Sequence, residues 1–351
     1  NLRLSAGTSM ETQVLMSDIR DPAAAAGTEG RGYGGWAKYD YQPGGRWQHT
    51  LHATWFDPRL DFNDLGYQQR ANLLKYQSES FLYIRHYRDG SIADNGNWYL
   101  ALEAPYTTTG EKLVATTELG HFYQWLDGSQ SYFFYFHEWP GYDDLMTRGN
   151  GSVLLPVRHN WGADYASVNH GRFRYYVAAF LKDQGLRQYT RELRFNPTIF
   201  FAENLSLLLE LDYSDSPDWL LWTAGPQVAV YRRHELVSTL GINWFPSQKQ
   251  ELRLKMQWVG LGAEARQNYD LAPDGTPVPV AGLPSDFTVS TMGLQLRYRY
   301  EFRPLSDLYV VYSRGGDGSL DDRSEPLGDQ SRRAMNQITS STFFVKLRYR
   351  I

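Results

Sequence analysis

Alternation with a period of two runs through almost the whole chain, and it restricts the fold more than any other feature. Side chains of an extended strand point alternately to opposite faces, so an apolar residue at every second position marks a ladder with one apolar and one polar face. In QELRLKMQW, Leu252, Leu254, Met256 and Trp258 share a face opposite Glu251, Arg253, Lys255 and Gln257. In LQLRYRYEF the apolar set Leu294, Leu296, Tyr298, Tyr300 and Phe302 opposes Gln295, Arg297, Arg299 and Glu301. LSLLLELDY sets Leu205, Leu207, Leu209, Leu211 and Tyr213 against Ser206, Leu208, Glu210 and Asp212. The closing STFFVKLRYRI gives Phe343, Val345, Leu347, Tyr349 and Ile351 opposite Phe344, Lys346, Arg348 and Arg350. Helical periodicity does not recur in this way.

Two soluble alternatives and a helical membrane protein fit poorly. The longest apolar run, Tyr175 to Leu181, is far short of the roughly 18 or more residues of a spanning helix. Yet aromatic residues make up 15% of the chain, with 25 Tyr and 11 Trp, while the mean hydropathy is only −0.52. High aromatic content in a polar chain is what a transmembrane β-barrel gives, because one face of each strand meets lipid. A propeller would show a repeat of 40–50 residues, and none is visible. A soluble sandwich has no use for Trp and Tyr at both ends of an exposed face. Here Trp47 and Trp55, Trp98 and Tyr106, Trp244 and Phe302 stand at such ends, as the two aromatic girdles of a barrel require.

The connections divide into short turns (YQPGGR, WLDGSQ, WFPSQKQ, FRPLSD) and long polar loops over 11–31, 57–66, 139–151, 263–286 and 316–335. That asymmetry predicts an all-β, antiparallel, up-and-down transmembrane β-barrel of about 16 strands (range 14–18), with short periplasmic turns and long extracellular loops. The expected organisation is a single barrel domain over 1–351, closed by pairing of the first strand, NLRLSAGTSM, with the last. The stretch 139–185 reads as one strand, two, or a loop folded inward. The chain opens without an initiator Met or a signal peptide, so it is expected to be a mature or trimmed product. The expected location is the outer membrane of a Gram-negative bacterium, as a monomer, in contact with outer-membrane lipid and lipopolysaccharide.

One loop is more specific than barrel architecture needs. LDFNDLGYQQRAN, with ATWFDP before it, places Phe62, Asn63, Asp64, Leu65, Gly66, Tyr67 and Arg70 in a stretch that resembles a known family. Its members carry a periplasmic carbohydrate-binding domain of the family-nine type ahead of a C-terminal outer-membrane barrel. The closing VKLRYRI is similar to that family's last strand. The resemblance implies the barrel part of such an architecture, with a periplasmic domain or partner protein upstream. No carbohydrate-binding domain lies within these residues, so it implies fold and location more than activity.

Chemistry is sparse. Cysteine is absent, which removes disulfides, Cys-ligated zinc and a thiol nucleophile. A net charge of −4 and a pI near 6.1 argue against nucleic-acid binding. His49 and His52, three apart on a strand, point to opposite faces and cannot share a metal. His159, His170 and Asp164 invite comparison with rim-active barrel hydrolases, but no nucleophile motif accompanies them. GGDGSLDDRSE (315–325) invites a calcium reading and lacks EF-hand spacing. Glu103 and Glu118 are placed to face each other across a hairpin. No catalytic residue, metal or cofactor is assigned, and the reading leans away from an enzyme.

The strongest constellation is the cationic face of the last strands: Arg253 and Lys255, Arg297 and Arg299, and Lys346, Arg348 and Arg350. An Arg or Lys aimed at the bilayer midplane costs roughly 2–4 kcal/mol, so these side chains are expected to line the interior. Glu210, Asp212, Glu251 and Glu301 are the expected carboxylate partners. Two readings follow: an electropositive wall that attracts anionic solutes, or a salt-bridge lattice that braces the barrel. The expected function is a porin-like channel for small polar or anionic solutes, the alternative a non-conducting anchor or assembly barrel.

Overall fold

The computed structural model describes residues 2–19, 30–62 and 68–350. Among them the chain is almost entirely β, and within each unit successive long strands pair antiparallel in an up-and-down order. Strands of nine or more residues number sixteen: β2 (Thr8–Ile19), β3 (Gly30–Tyr41), β4 (Trp47–Phe56), β5 (Leu73–Ile84), β6 (Ala93–Tyr106), β7 (Thr116–Trp125), β8 (Gln130–Glu138), β11 (Arg158–Ala166), β12 (Phe173–Asp183), β13 (Tyr189–Ala202), β14 (Leu205–Ala224), β15 (Gln227–Ser247), β16 (Gln250–Leu271), β18 (Phe287–Arg303), β19 (Ser306–Asp317) and β20 (Ile338–Arg348). Four short ones complete the set: β1 (Leu2–Ser5), β9 (Gly141–Asp143), β10 (Val153–Leu155) and β17 (Pro277–Val280). The chain falls into two compact units, one holding 1–126, 132–161 and 271–278, the other 127–131, 162–270 and 279–351.

In the first unit β1 to β7 form a continuous meander. Its register aligns Glu11, Lys38, His52, Gln77 and Glu103 across five strands, a polar row on one face. The neighbouring row, Met10, Tyr39, Leu51, Ser78 and Leu102, lies on the other face. That second face is open to solvent although it is apolar: Val14 is 87% exposed and Met16 66%. His49 lies on this apolar face with its Nδ1 2.7 Å from Ser80 Oγ, while His52 lies on the polar one, as their spacing requires.

In the second unit β12 to β16, β18, β19 and β20 form a second meander. Arg253 pairs across strands with Arg297, Glu251 with Arg299, Lys346 with Tyr309 and Arg348 with Asp307, so the charged residues of β16, β18, β19 and β20 share one face. The opposite face carries exposed Leu193, Phe343 and Leu347.

Four boundaries differ from the sequence expectation. Within the expected first strand NLRLSAGTSM, residues 2–10 form a hairpin: Gly7, at φ 78°, turns β1 back onto β2, with Leu2 opposite Met10. The loop expected over 11–31 is strand as far as Ile19, because Thr12 to Ile19 pair with β3 down to Gly30. The loop expected from 263 begins only after Leu271, because β15 and β16 stay paired to Gln227–Asp270. Within 139–185, Gly141–Asp143 pairs with Val153–Leu155 as a small separate sheet, and β11 and β12 follow.

The loop over 316–335 holds α1 (Leu327–Asn336). It packs on the apolar face of its sheet, with Ala334 fully buried against Trp258 and Met292. Gly316 makes room for it, since a Cβ there would lie 1.9 Å from the carbonyl oxygen of Ala334. Ten residues with two apolar anchors give too short a helical period to read from sequence.

Candidate functional site

The polar faces hold the chemistry, and each unit presents one. In the second unit the face is built from ion pairs that step from strand to strand. Glu192 on β13 takes Lys182 of β12 at 2.6 Å and also pairs with Arg194. Glu251 on β16 takes Arg253 at 2.5 Å and Arg297 of β18 at 2.7 Å. Arg299 reaches Asp307 of β19 at 2.8 Å and Glu301 at 3.9 Å. Because paired strands lie about 5 Å apart, long side chains on one face meet directly across the ladder and diagonally.

The expected cations therefore separate into two groups. Arg253, Arg297 and Arg299 are compensated. Lys255, Lys346 and Arg348 have no carboxylate within 4.0 Å among the described residues. Arg350 lies past the end of β20, and its backbone N–H donates to Ser306 Oγ at 3.1 Å. Of the expected partners, Glu251 and Glu301 serve. Glu210 does not; it stands opposite Thr239 and forms no ion pair among the described residues. Asp307, Glu192, Arg194 and Lys182 were missed. Asp307 sits in FRPLSD, read as a turn, although it opens β19 and faces Glu301.

In the first unit, loops fold back over the polar face and border a cavity of about 430 Å³ that stays open to solvent. Its floor is the strand wall, with Trp36 of β3, His52 and Thr54 of β4, Lys75 of β5 and Glu103 of β6. Its roof comes from Phe62, Gln68 and Arg70 before β5 and from Tyr142 to Leu145 after β8. The roof is anchored by Arg70, whose Nη2 donates to Asp144 at 2.8 Å. It is anchored too by the short sheet, where Val153 and Leu155 are almost wholly buried. Phe62 meets Phe56 edge to face at 5.9 Å, and its N–H donates to Gln68 Oε1 at 3.0 Å.

Of the seven residues that carry the family resemblance, the two described ones, Phe62 and Arg70, both line this cavity. Asn63, Asp64, Leu65, Gly66 and Tyr67 lie outside the described residues. On the floor, Glu103 accepts from Gln77 at 2.7 Å and lies 3.6 Å from Lys75. Glu118 instead accepts from the Tyr132 hydroxyl at 3.0 Å, so it and Glu103 are held by different partners.

The remaining sequence candidates are otherwise engaged. His159 Nδ1 is 2.7 Å from the Tyr135 hydroxyl, and His137 packs beside it with ring centroids 5.0 Å apart. His170 is exposed at a turn, where its N–H donates to the carbonyl of Phe173. In the acidic loop Glu325 is held by Arg333 at 2.5 Å and Arg323 at 3.3 Å. Asp317 accepts the N–H of Ser319 at 2.9 Å.

Residues 5–351 match the family model for a domain of unknown function, DUF5916. The chain belongs to that family. No curated protein matches it. Two solved structures resemble this DUF5916 chain distantly. The outer membrane channel DcaP of Acinetobacter baumannii has a TM-score of 0.38 at 10% identity, covering 92% of this chain and 95% of that one. The outer-membrane expressed OmpT of Vibrio cholerae has a TM-score of 0.23 at 10% identity, covering 98% and 96%. The functional reading rests on the two polar faces.

Proposed function

We propose that this DUF5916 chain is a monomeric transmembrane β-barrel of the Gram-negative outer membrane that admits small polar or anionic solutes along a mixed-charge lumen. The observation that carries the reading is the division of faces. In both units one face of the meander is apolar yet exposed, and the opposite face is charged. Water gives no reason to expose Val14, Met16, Phe343 and Leu347 together, whereas lipid does. Closure of the meander into one domain would leave no open strand edge in the bilayer, which is the condition for a sheet to span it. The face with Arg253, Arg297 and Arg299 then lines the lumen, and Lys255, Lys346 and Arg348, which have no carboxylate partner among the described residues, supply the bias toward anions.

A second reading has its own support. The loop that roofs the cavity of the first unit covers part of the polar face, as a plug would. A barrel filled in this way would serve as an anchor for a periplasmic carbohydrate-binding domain of the family-nine type or another partner. Planar-bilayer recording of the purified chain separates the two. Steady open currents with an anion-selective reversal potential support the channel. Closed bilayers at every voltage support the anchor and overturn the channel.

A further inference from the structure

We infer that the roofed cavity of the first unit binds a neutral polyhydroxylated solute, a sugar of one or two rings. The inference deepens the channel reading and rests on the polar face being the water-exposed one.

The cavity, about 430 Å³, falls in the range of small-molecule pockets, roughly 300–1,000 Å³. Its charges are already matched within the wall. Arg70 is held by Asp144, Lys75 by Glu103, and Arg158 by Glu138. The Asp143 carboxylate accepts the N–H groups of Leu145 and Met146 at 3.0 and 2.9 Å. An ionic ligand would have to displace one member of a pair and leave the other stranded, at the desolvation cost of an unpaired charge.

A hydroxyl meets no such obstacle. It donates and accepts at once, so it can give a hydrogen bond to the free lone pairs of Asp144 or Glu103 and take one from an unused N–H of Arg70 or Lys75. Bonds to ionised partners are the stronger kind. The lining also carries four aromatic rings, Trp36, Phe56, Phe62 and Tyr142. A pyranose ring offers the matching pair of surfaces: C–H groups above and below its plane, and hydroxyls around its edge. Flat apolar faces favour the first, and the paired ions the second. A zwitterion such as glycine betaine lacks the hydroxyls and meets two pairs already satisfied.

The test is calorimetric titration of the full chain in detergent with maltose, sodium glucuronate, glucosamine (cationic at the working pH) and glycine betaine. Maltose is expected to bind saturably, and each of the others at least about tenfold more weakly, equivalent to about 1.4 kcal/mol. Phe62→Ala, a change in the roof that leaves the strand wall intact, should weaken maltose about tenfold with an unchanged circular dichroism spectrum. Arg70→Met strands the Asp144 carboxylate, and it should lower maltose affinity while raising that of glucosamine. Loss of maltose binding without a gain for glucosamine would mean that Arg70 only holds the roof, and would overturn the inference. So would maltose heats that never saturate, or glucuronate binding as tightly as maltose. Because binding is read without ion flow, conductance without maltose binding sinks this inference alone. Maltose binding by a chain that never conducts sinks the channel alone.

Discussion

Removing Arg299 offers a direct measure of what the ion-pair face contributes. Its guanidinium donates through Nε and Nη2 to Asp307 Oδ1, at 2.9 and 2.8 Å. The two partners are unequal: the Asp307 side chain is 4% exposed and that of Arg299 38%. Breaking a fully buried pair from one side costs about 3–5 kcal/mol, because a charge is left without a partner. Arg299 reaches water, which screens it, so Arg299→Met is expected to cost about 1–2 kcal/mol. Asp307→Asn keeps the shape and removes the buried charge, and should cost less. The double variant should recover much of the loss, with a coupling of about 1 kcal/mol in a double-mutant cycle. Chemical denaturation of the refolded protein in detergent, followed by tryptophan fluorescence, reads all four corners. Additive losses, or a single Arg299→Met variant within about 0.3 kcal/mol of the parent, would refute the claim that Asp307 depends on Arg299.

Three further outcomes are expected. Leu193→Arg, on the exposed apolar face, should destabilise the chain in lipid vesicles by about 2–4 kcal/mol, whereas Gln295→Arg, on the charged face, should refold at parental yield. Gly316→Ala should lift α1 off its sheet, since the new Cβ would sit 1.9 Å from Ala334 O; limited proteolysis between 319 and 337 should then quicken by about tenfold or more. At the turn after β7, the side chain and backbone N–H of Ser129 hold the Asp127 carboxyl below its ordinary value of 3.8. A depressed folded pKa means the stabilisation is complete above the ordinary value and fades as pH falls through the folded one. Asp127→Asn should flatten that part of the acid stability curve, and an unchanged curve would show that the turn is not the source.

The strands were legible because burial on one face writes a period of two into the sequence, and a slip of one residue would reverse every side chain. The cationic face was legible for the same reason: Arg253 and Arg297 alternate with Leu252 and Leu296. Its partners were not. Which carboxylate meets which cation depends on register between strands, and alternation within one strand is silent on register. Hence Glu210 was expected to serve where Asp307 does. The roofed cavity was hidden because it joins Arg70 to Asp144, 74 positions apart, through loops with no period at all. LDFNDLGYQQRAN stood out as a motif, but nothing in its spacing said that Phe62 and Arg70 would turn back over the wall.

The lengths of β14, β15 and β16, at 20, 21 and 22 residues, carry one more consequence. A tilted strand crosses the hydrocarbon core in about 9–11 residues. In the proposed membrane placement, then, about half of each of these strands stands clear of the bilayer and stays paired as it does so. In that placement the apolar cluster of Ala229, Tyr231, Ala263 and Ala265 would belong to the outlying part. A cell bearing this protein would therefore show the outside world a stiff, folded parapet with its own small core. Antibodies or phage reaching it would meet a fixed relief, and proteases would find few places to cut.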